Sequence, residues 1–134
     1  MSQDKTVLVV DDDAEIREIV ATVLEADGYR VDTASNGAEA LRKAHEHEPD
    51  AVILDVTMPV MGGWEFLAQW RTQPTEHRAP VLVISCARDR RTALDRGAKA
   101  YLAKPFDLDT LETTLASVIE TVLSQLRDEA SLSA

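Results

Sequence analysis

Short apolar runs alternate with helical stretches along the whole chain of 134 residues. Four runs are almost purely apolar and have the length of strands that are buried on both faces. They lie at 7–10, 51–54, 81–84 and 100–103, and a more polar stretch at 29–34 reads as an edge strand. Because strand and helix alternate five times, the pattern predicts a doubly wound α/β fold, a five-stranded parallel sheet with helices on both faces.

The stretches between the strands have apolar positions at helical spacing. The first helix carries one apolar face, formed by positions 16, 19, 20, 23 and 24, which predicts a helix packed on the sheet. Asp13 is its predicted N-cap and Gly28 its predicted stop. A long helical pattern begins at Leu108. Further helices are predicted at 38–47, 64–73 and 89–96.

Polar residues stand directly after four of these strands. Asp11 and Asp12 follow the first strand, Asp55 the third, Ser85 the fourth and Lys104 the fifth. The carboxyl ends of parallel strands meet at one edge of a sheet, so these side chains should converge. Clustered carboxylates repel one another without a cation, and oxygen ligands alone favour Mg²⁺. A carboxylate there can attack phosphorus, with an amine and a hydroxyl to stabilise the transferring group.

Composition excludes several other functions. The net charge is −10, from 24 acidic and 14 basic residues, which argues against a nucleic-acid surface and against binding to anionic membranes. The single cysteine, Cys86, excludes an internal disulfide framework. No apolar run approaches the roughly 20 residues of a membrane span, and the N-terminus lacks a signal-peptide pattern, so a cytoplasmic location is expected.

Four motifs in order resemble the receiver domain of two-component response regulators, over about residues 5–126. The resemblance implies a flavodoxin-like three-layer sandwich with strand order 2-1-3-4-5. It also implies a phospho-accepting signalling switch, which assists only its own phosphoryl transfer and dephosphorylation, rather than an enzyme. The motifs are Val7–Asp12, Leu54–Gly63, Val83–Ser85 and Gly97–Phe106.

The resemblance also assigns roles to individual residues. Asp55 is similar to the phospho-acceptor, which takes its phosphoryl group from a histidine kinase, a histidine phosphotransfer protein or a small phosphodonor. Asp12 is similar to a direct Mg²⁺ ligand and Asp11 to one that acts mainly through water. Asp55 itself and the backbone carbonyl of Thr57 complete the implied metal site.

The remaining motif residues resemble the parts that sense and transmit phosphorylation. Ser85 is similar to the switch hydroxyl, Tyr101 to the aromatic switch coupled to it, and Lys104 to the lysine that pairs with the phosphoryl group. The bond between Lys104 and Pro105 is expected to be cis.

Two departures from the family pattern lie between the fourth and fifth strands. The segment from Ser85 to Gly97 is shorter than is usual in the family by about three residues, nearly one helical turn, which predicts a short fourth helix. The resemblance implies that the fourth helix, the fifth strand and the fifth helix form the face that reports phosphorylation, so an altered output face is also predicted. Ala87, two residues after Ser85, cannot orient a water molecule, so a phosphoryl lifetime that is not especially short is predicted.

The predicted domain layout is a receiver domain at 1–126 with an extended C-terminal helix, followed by a frayed tail at 127–134. The extension is interpreted either as a surface for a second copy, giving a homodimer, or as a lead into an output domain. The output partner or output domain is not identified by the sequence.

Two other functions remain as alternatives. The Asp11-x-Asp13 arrangement after a strand also resembles the start of haloacid-dehalogenase-type phosphatases, which would turn over phosphomonoesters. A receiver-like module that binds partners without being phosphorylated is the second alternative. Formation of a phosphoryl adduct on Asp55 separates the three functions.

Overall fold

The computed structural model describes residues 5–56, 62–74 and 79–133, which form one five-stranded sheet covered by helices. The strands pair in parallel in the order β2-β1-β3-β4-β5, which confirms the predicted fold and strand order. The strands are β1 (Thr6–Val10), β2 (Arg30–Ala34), β3 (Ala51–Asp55), β4 (Val81–Ser85) and β5 (Ala100–Ala103).

Five helices connect and cover these strands in the described part of the chain. The third helix ends three residues before its predicted end at 73, because the amides of Thr72 and Gln73 turn back to the carbonyls of Gln69 and Trp70. The fourth helix has only six residues and follows a single 3₁₀ turn at Ala87–Asp89. The helices are α1 (Ala14–Ala26), α2 (Gly37–Glu46), α3 (Gly63–Trp70), α4 (Arg90–Asp95) and α5 (Leu108–Ser133).

Two apolar layers cover the two faces of the sheet. Successive side chains of a strand point to opposite faces, and along β1 Val7 and Val9 join one layer while Leu8 and Val10 join the other. The first layer is completed by α1 and α5, and the second by α2, α3 and α4. The molecule is therefore the three-layer sandwich that the resemblance implied.

Helix α1 departs from its predicted packing. Val20 and Leu24 are buried in the core, but Ile16 and Ile19 are 37% and 46% exposed. The prediction that the whole apolar stripe packs on the sheet is therefore wrong for the first half of the helix. These two isoleucines border the groove that contains Asp55 instead.

Helix α5 is much longer than the sheet requires. Its 26 residues span about 39 Å at 1.5 Å per residue. Leu111, Leu115 and Ile119 are buried against the sheet, and Leu123 packs at the edge of the same layer. The backbone stays helical to Ser133, so residues 127–133 of the predicted frayed tail are helical. None of the helices in the described ranges combines the length and the hydropathy of a membrane span.

Candidate functional site

Three polar residues are buried in the described part of the chain, and each lies at the end of a strand. Asp11 follows β1, Asp55 ends β3 and Ser85 ends β4, with exposures of 7%, 4% and 2%. Burying a carboxylate is costly unless it is paired or binds a cation. Their common position at the carboxyl edge of the sheet therefore indicates a functional site.

Three carboxylates meet at this edge. Strands β1 and β3 are neighbours, with Val10 opposite Leu54, so the residues that follow the two strands lie side by side. One oxygen from each of Asp11, Asp12 and Asp55 lies within 4.8 Å of the other two. Asp12 is exposed, whereas the other two are buried. The structure thus brings together the three side chains that the sequence predicted as metal ligands.

The environment of Asp11 disfavours its negative charge. Burial is the largest cause and raises the pKa of Asp11 from 3.8 to about 6. The charges of Asp55 and Asp12 raise this pKa further, while the backbone N–H of Asp13 and the charge of Lys104 oppose the change. A carboxylate with this raised pKa gains more from a nearby cation than an isolated surface carboxylate does.

Local hydrogen bonds hold the turn between β1 and α1 in place. The backbone N–H of Asp13 donates to Oδ1 of Asp11 at 2.9 Å, and the Arg17 guanidinium donates to the Asp11 carbonyl at 2.7 Å. Asp13 accepts from the amides of Glu15 and Ile16, which confirms it as the N-cap of α1. Arg17 had no predicted role in the site, and its position one turn into α1 is the signal that could have shown it.

Lys104 forms the cationic side of the site. Its Nζ donates to Oδ2 of Asp55 at 3.0 Å. Burial, the largest influence, lowers the pKa of Lys104, but its hydrogen bond to Asp55 and the charges of Asp55, Asp11 and Asp12 outweigh it and raise this pKa. Lys104 is therefore a fixed positive charge beside the carboxylates at neutral pH. Its peptide bond to Pro105 is cis, as predicted.

Gly63, the first residue of α3, lies directly against the end of β3. A Cβ at this position would lie 2.3 Å from the Val56 Cα and 2.7 Å from the Asp55 carbonyl oxygen, so only glycine fits. The Gly63 amide also donates to the Val56 carbonyl at 3.2 Å. The start of α3 therefore rests directly on the backbone of the candidate phospho-acceptor. Thr57, the remaining predicted metal ligand, lies outside the described residues.

Ser85 and Tyr101 occupy the next two strands. The Ser85 hydroxyl donates to Oδ2 of Asp89 at 2.6 Å, an interaction that the sequence did not predict. Tyr101 is 5% exposed and lies under the Arg90 guanidinium, 5.3 Å from the ring centroid. Burial and, next, the negative charge of Asp89 raise the pKa of Tyr101. Both predicted switch residues therefore lie next to the turn that carries Asp89.

The donor set fits a hard divalent cation. Asp11, Asp12 and Asp55 offer oxygen atoms alone, in a cluster small enough for one ion to touch or reach through water. Burial and the neighbouring carboxylates disfavour the ionised form of Asp11, and a divalent cation would offset this cost. Mg²⁺ commonly binds proteins through a few carboxylates plus waters and phosphate oxygens.

An open groove of about 800 Å³ leads to the carboxylates. Its polar side is formed by Asp11, Asp12, Asp13, Asp55 and Lys104. The other side is apolar and is built from the exposed start of α1 and the segment that follows β5. Its residues are Ile16, Ile19, Val20, Pro105, Phe106 and Leu108. The carboxylate cluster thus lines the same groove as a set of apolar side chains.

Comparison with protein families yields a match over most of the chain. The model of the response regulator receiver domain matches residues 7–116. This range begins in β1 and ends within α5, so it contains every residue of the site described above. The match agrees with the resemblance that the four strand-end motifs indicated.

Curated relatives are response regulators of about twice this length. The transcriptional regulatory protein KdpE of Mycobacterium tuberculosis is 43% identical over 116 residues, which is 84% of this chain and 50% of that protein. The transcriptional regulatory protein PrrA of the same species is 39% identical over 128 residues, which is 93% of this chain and 51% of that protein. The chain thus spans about half the length of the curated relatives it matches.

A solved receiver structure has the same fold. The chemotaxis response regulator CheY4 of Vibrio cholerae is 39% identical and superposes with a TM-score of 0.79, covering 85% of this chain and 98% of that one. NtrX of Brucella abortus is 31% identical, with a TM-score of 0.84 that covers 100% of this chain and 30% of the longer protein. The second superposition includes the extended α5.

Proposed function

This chain belongs to the response regulator receiver domain family, and we propose that it works as a signalling switch whose Asp55 accepts a phosphoryl group. One observation carries the proposal. The Asp55 carboxylate is paired with Lys104 at 3.0 Å and lies in a cluster with Asp11 and Asp12 whose oxygens are within 4.8 Å of one another. A nucleophile, a cation site and a fixed positive charge are the components that phosphoryl transfer requires.

The chemistry is a direct transfer between donor and Asp55. A carboxylate oxygen of Asp55 attacks phosphorus in a phosphohistidine of a histidine kinase or histidine phosphotransfer protein, or in a small phosphodonor. The new P–O bond forms as the P–N bond of phosphohistidine breaks, and the imidazole departs with the electron pair of that bond. Lys104 moves its charge from the carboxylate toward the phosphoryl oxygens, and the Ser85 hydroxyl donates to one of them.

The carboxylate cluster provides for a metal ion in this reaction. Asp12 and Asp55 would bind Mg²⁺ directly, Asp11 would act mainly through water and the Thr57 backbone carbonyl would complete the set. When bound, Mg²⁺ supplies positive charge for the phosphoryl oxygens. Without it, three carboxylates repel an incoming phosphoryl group, because the charge of Lys104 offsets only one of them.

The phosphodonor protein docks in the groove beside Asp55. Ile16 and Ile19 are exposed apolar side chains on α1, and Phe106 lies across the groove from them. An amphipathic helix that carries a phosphohistidine would bury these residues and bring the phosphoryl group to Asp55. Arg17 and Glu18 lie on the same helix and are suited to select among such partners.

Phosphorylation shifts an equilibrium between two conformations of the output face. Ser85 and Tyr101 couple Asp55 to α4 and β5, because both lie next to the turn before α4. A phosphoryl group that binds the active arrangement better than the resting one favours the active arrangement. The relatives named as transcriptional regulatory proteins support control of an output partner or output domain by this face.

The experiment is a measurement of intact mass after incubation with Mg²⁺ and acetyl phosphate or phosphoramidate. The expected result is one phosphoryl adduct in the parent protein, lost in Asp55→Asn and strongly reduced when EDTA replaces Mg²⁺. Asp95→Asn is the matched control, because it removes an exposed carboxylate of α4 that pairs with Arg91 away from the site. This variant should accept a phosphoryl group as the parent does.

Each competing function has its own outcome in this experiment. No adduct in the parent, under conditions that modify another receiver domain, would indicate a module that works by binding alone. Continuous turnover of an added phosphomonoester would indicate a phosphatase. An adduct that persists in Asp55→Asn would place the acceptor elsewhere and reject the proposed role of Asp55.

A further inference from the structure

The Ser85 hydroxyl is engaged in the resting structure. It donates to Oδ2 of Asp89 at 2.6 Å, and Ser85 is 2% exposed. A hydroxyl has one proton to donate, so Ser85 cannot donate to Asp89 and to a phosphoryl oxygen at the same time. A bond this short to a carboxylate belongs to the stronger class of hydrogen bonds.

The turn between β4 and α4 is arranged for this bond. The Asp89 amide donates to the Cys86 carbonyl at 3.0 Å, which closes the 3₁₀ turn and folds Asp89 back over the end of β4. Asp89 stands at the N-cap position of α4, yet its side chain makes no cap hydrogen bond. Its carboxylate accepts from Ser85 and, more weakly, from the Cys86 thiol at 3.3 Å. The Asp89 carboxylate therefore binds the end of β4 and does not cap α4.

We propose that Asp89 is a positioning residue that competes with the phosphoryl group for the Ser85 hydroxyl and so holds the switch in its resting state. The inference rests on the proposed function of Asp55. Phosphorylation must break the Ser85–Asp89 bond before Ser85 can donate to the phosphoryl group. The cost of breaking the Ser85–Asp89 bond therefore offsets part of the free energy gained when Ser85 binds the phosphoryl group. This cost lowers the occupancy of the active state.

Release of Asp89 reaches the output face through its neighbours. Arg90, the next residue, lies over the Tyr101 ring. Burial and, next, the charge of Asp89 raise the pKa of the Tyr101 hydroxyl. Movement of Asp89 away from Ser85 therefore changes the electrostatic environment of Tyr101 and the packing above its ring. The short turn makes this coupling direct, because Asp89 is only four residues from Ser85 and next to α4.

The test is the affinity for fluoroberyllate, which binds an acceptor carboxylate non-covalently in place of a phosphoryl group. Fluorine NMR titration in the presence of Mg²⁺ measures this affinity in the parent protein, in Asp89→Ala and in Asp89→Asn. Loss of one competing charge-assisted hydrogen bond should tighten binding about 5- to 30-fold in Asp89→Ala. Asp89→Asn keeps the shape of the turn with a weaker acceptor, so its affinity for fluoroberyllate should lie between those of the parent and of Asp89→Ala.

The control for a general charge effect is Asp95→Ala, which removes the other carboxylate of the α4 region and should leave the affinity unchanged. A double-mutant cycle shows whether Asp89 acts through Ser85. In the Ser85→Ala background, Asp89→Ala should have no effect, because the hydroxyl for which Asp89 competes is gone.

Three results would overturn the inference. Unchanged or weaker binding in both Asp89 variants would show that the bond does not restrain Ser85. A gain that persists in the Ser85→Ala background would show that Asp89 acts by its charge alone. Fluoroberyllate binding that is equally absent in the parent and in Asp55→Asn would reject the proposed function itself, which distinguishes that failure from failure of the Asp89 role.

Discussion

Lys104 and Asp55 form an ion pair at the carboxyl edge of the sheet, with 3.0 Å between Nζ and Oδ2. Lys104 directly follows β5 and Asp55 ends β3, and β4 lies between these two strands. The Asp55 side chain is 4% exposed, whereas that of Lys104 is 44% exposed. The buried Asp55 carboxylate is thus paired with a lysine whose side chain is half exposed to solvent.

Replacement of Lys104 by methionine should destabilise the resting protein. The charge and hydrogen bond of Lys104 favour the folded state from neutral pH up to its ordinary pKa of 10.5, since Asp55 raises this pKa, and this stabilisation is lost as pH rises through the raised value. Urea unfolding at pH 7.5 in EDTA should give an unfolding free energy about 1–2 kcal/mol below that of the parent, because the buried Asp55 carboxylate loses its partner. The loss is modest because solvent partly screens the half-exposed ammonium of Lys104. Lys99→Met, which removes an exposed lysine just before β5, should change it by less than about 0.5 kcal/mol. Equal stability of Lys104→Met and the parent would contradict this prediction.

Replacement of Asp11 by asparagine should stabilise the protein in the absence of metal. The folded-state pKa of Asp11 is raised to about 6, so its ionised form opposes folding above that pH. The opposition disappears as pH falls below the ordinary value of 3.8. Unfolding in EDTA should therefore show a gain of about 1–3 kcal/mol at pH 7.5, which shrinks between pH 6 and pH 4.

The same variant tests the metal site from the opposite direction. Added Mg²⁺ should raise the Tm of the parent protein, because the proposed site is assembled only in the folded state, and this increase should be smaller in Asp11→Asn. Asp12→Asn removes a charge from the same cluster at an exposed position, so its gain in EDTA should be the smaller of the two. A gain for Asp11→Asn that is constant from pH 4 to pH 7.5 would be inconsistent with the raised pKa.

Replacement of Gly63 by alanine should damage both stability and phosphorylation. The new Cβ would meet the backbone of Val56 and Asp55 at 2.3 Å and 2.7 Å, so the start of α3 or the end of β3 must move. We expect a loss of about 2–4 kcal/mol in urea unfolding. Slower phosphorylation of the folded fraction by acetyl phosphate should accompany it, because the acceptor is displaced.

Gly62→Ala is the matched control for this prediction. Gly62 has a φ of −70° and a ψ of 173°, a conformation that alanine adopts without strain. We expect its stability to lie within about 1 kcal/mol of the parent value. Equal losses in the two variants would show that the contact at Gly63 is not the cause.

Replacement of Tyr101 by phenylalanine should leave stability unchanged or increase it. The Tyr101 hydroxyl is buried and makes no well-formed hydrogen bond in the described part of the chain. Burial, the largest influence, raises its pKa, and a weaker contact with the Asp89 backbone opposes this rise. An unsatisfied buried hydroxyl costs about 1–3 kcal/mol, and phenylalanine keeps the ring on which Arg90 lies. Urea unfolding measures the effect, with Tyr29→Phe as the comparison at a partly exposed position. A loss above about 1 kcal/mol for Tyr101→Phe would indicate that the hydroxyl has a partner in solution.

The sequence by itself determined the sheet and the reactive edge. Apolar runs of strand length alternate with helical stretches, and only a parallel sheet covered on both faces buries such runs. A polar residue after each of these strands must then lie at the same edge, whatever the details of the connections. Asp11, Asp12, Asp55 and Lys104 could therefore be placed together before any contact between them was known.

Tertiary structure decided the contacts that depend on how segments approach each other. Periodicity predicted that Ile16 and Ile19 face the core, but the start of α1 lies beside the groove rather than over the sheet. The requirement for glycine at position 63 arises from the close approach of α3 to the backbone of β3, which no pattern of side chains encodes.

The hydrogen bond between Ser85 and Asp89 was also decided by the tertiary structure. Asp89 had the sequence position of a helix start, and its residue type suits an N-cap. The 3₁₀ turn closed on Cys86 directs its carboxylate to Ser85 instead. Strand ends are set by the topology of the sheet, whereas the direction of a side chain in a short turn is set by local backbone angles, and these follow from the packing of the whole fold.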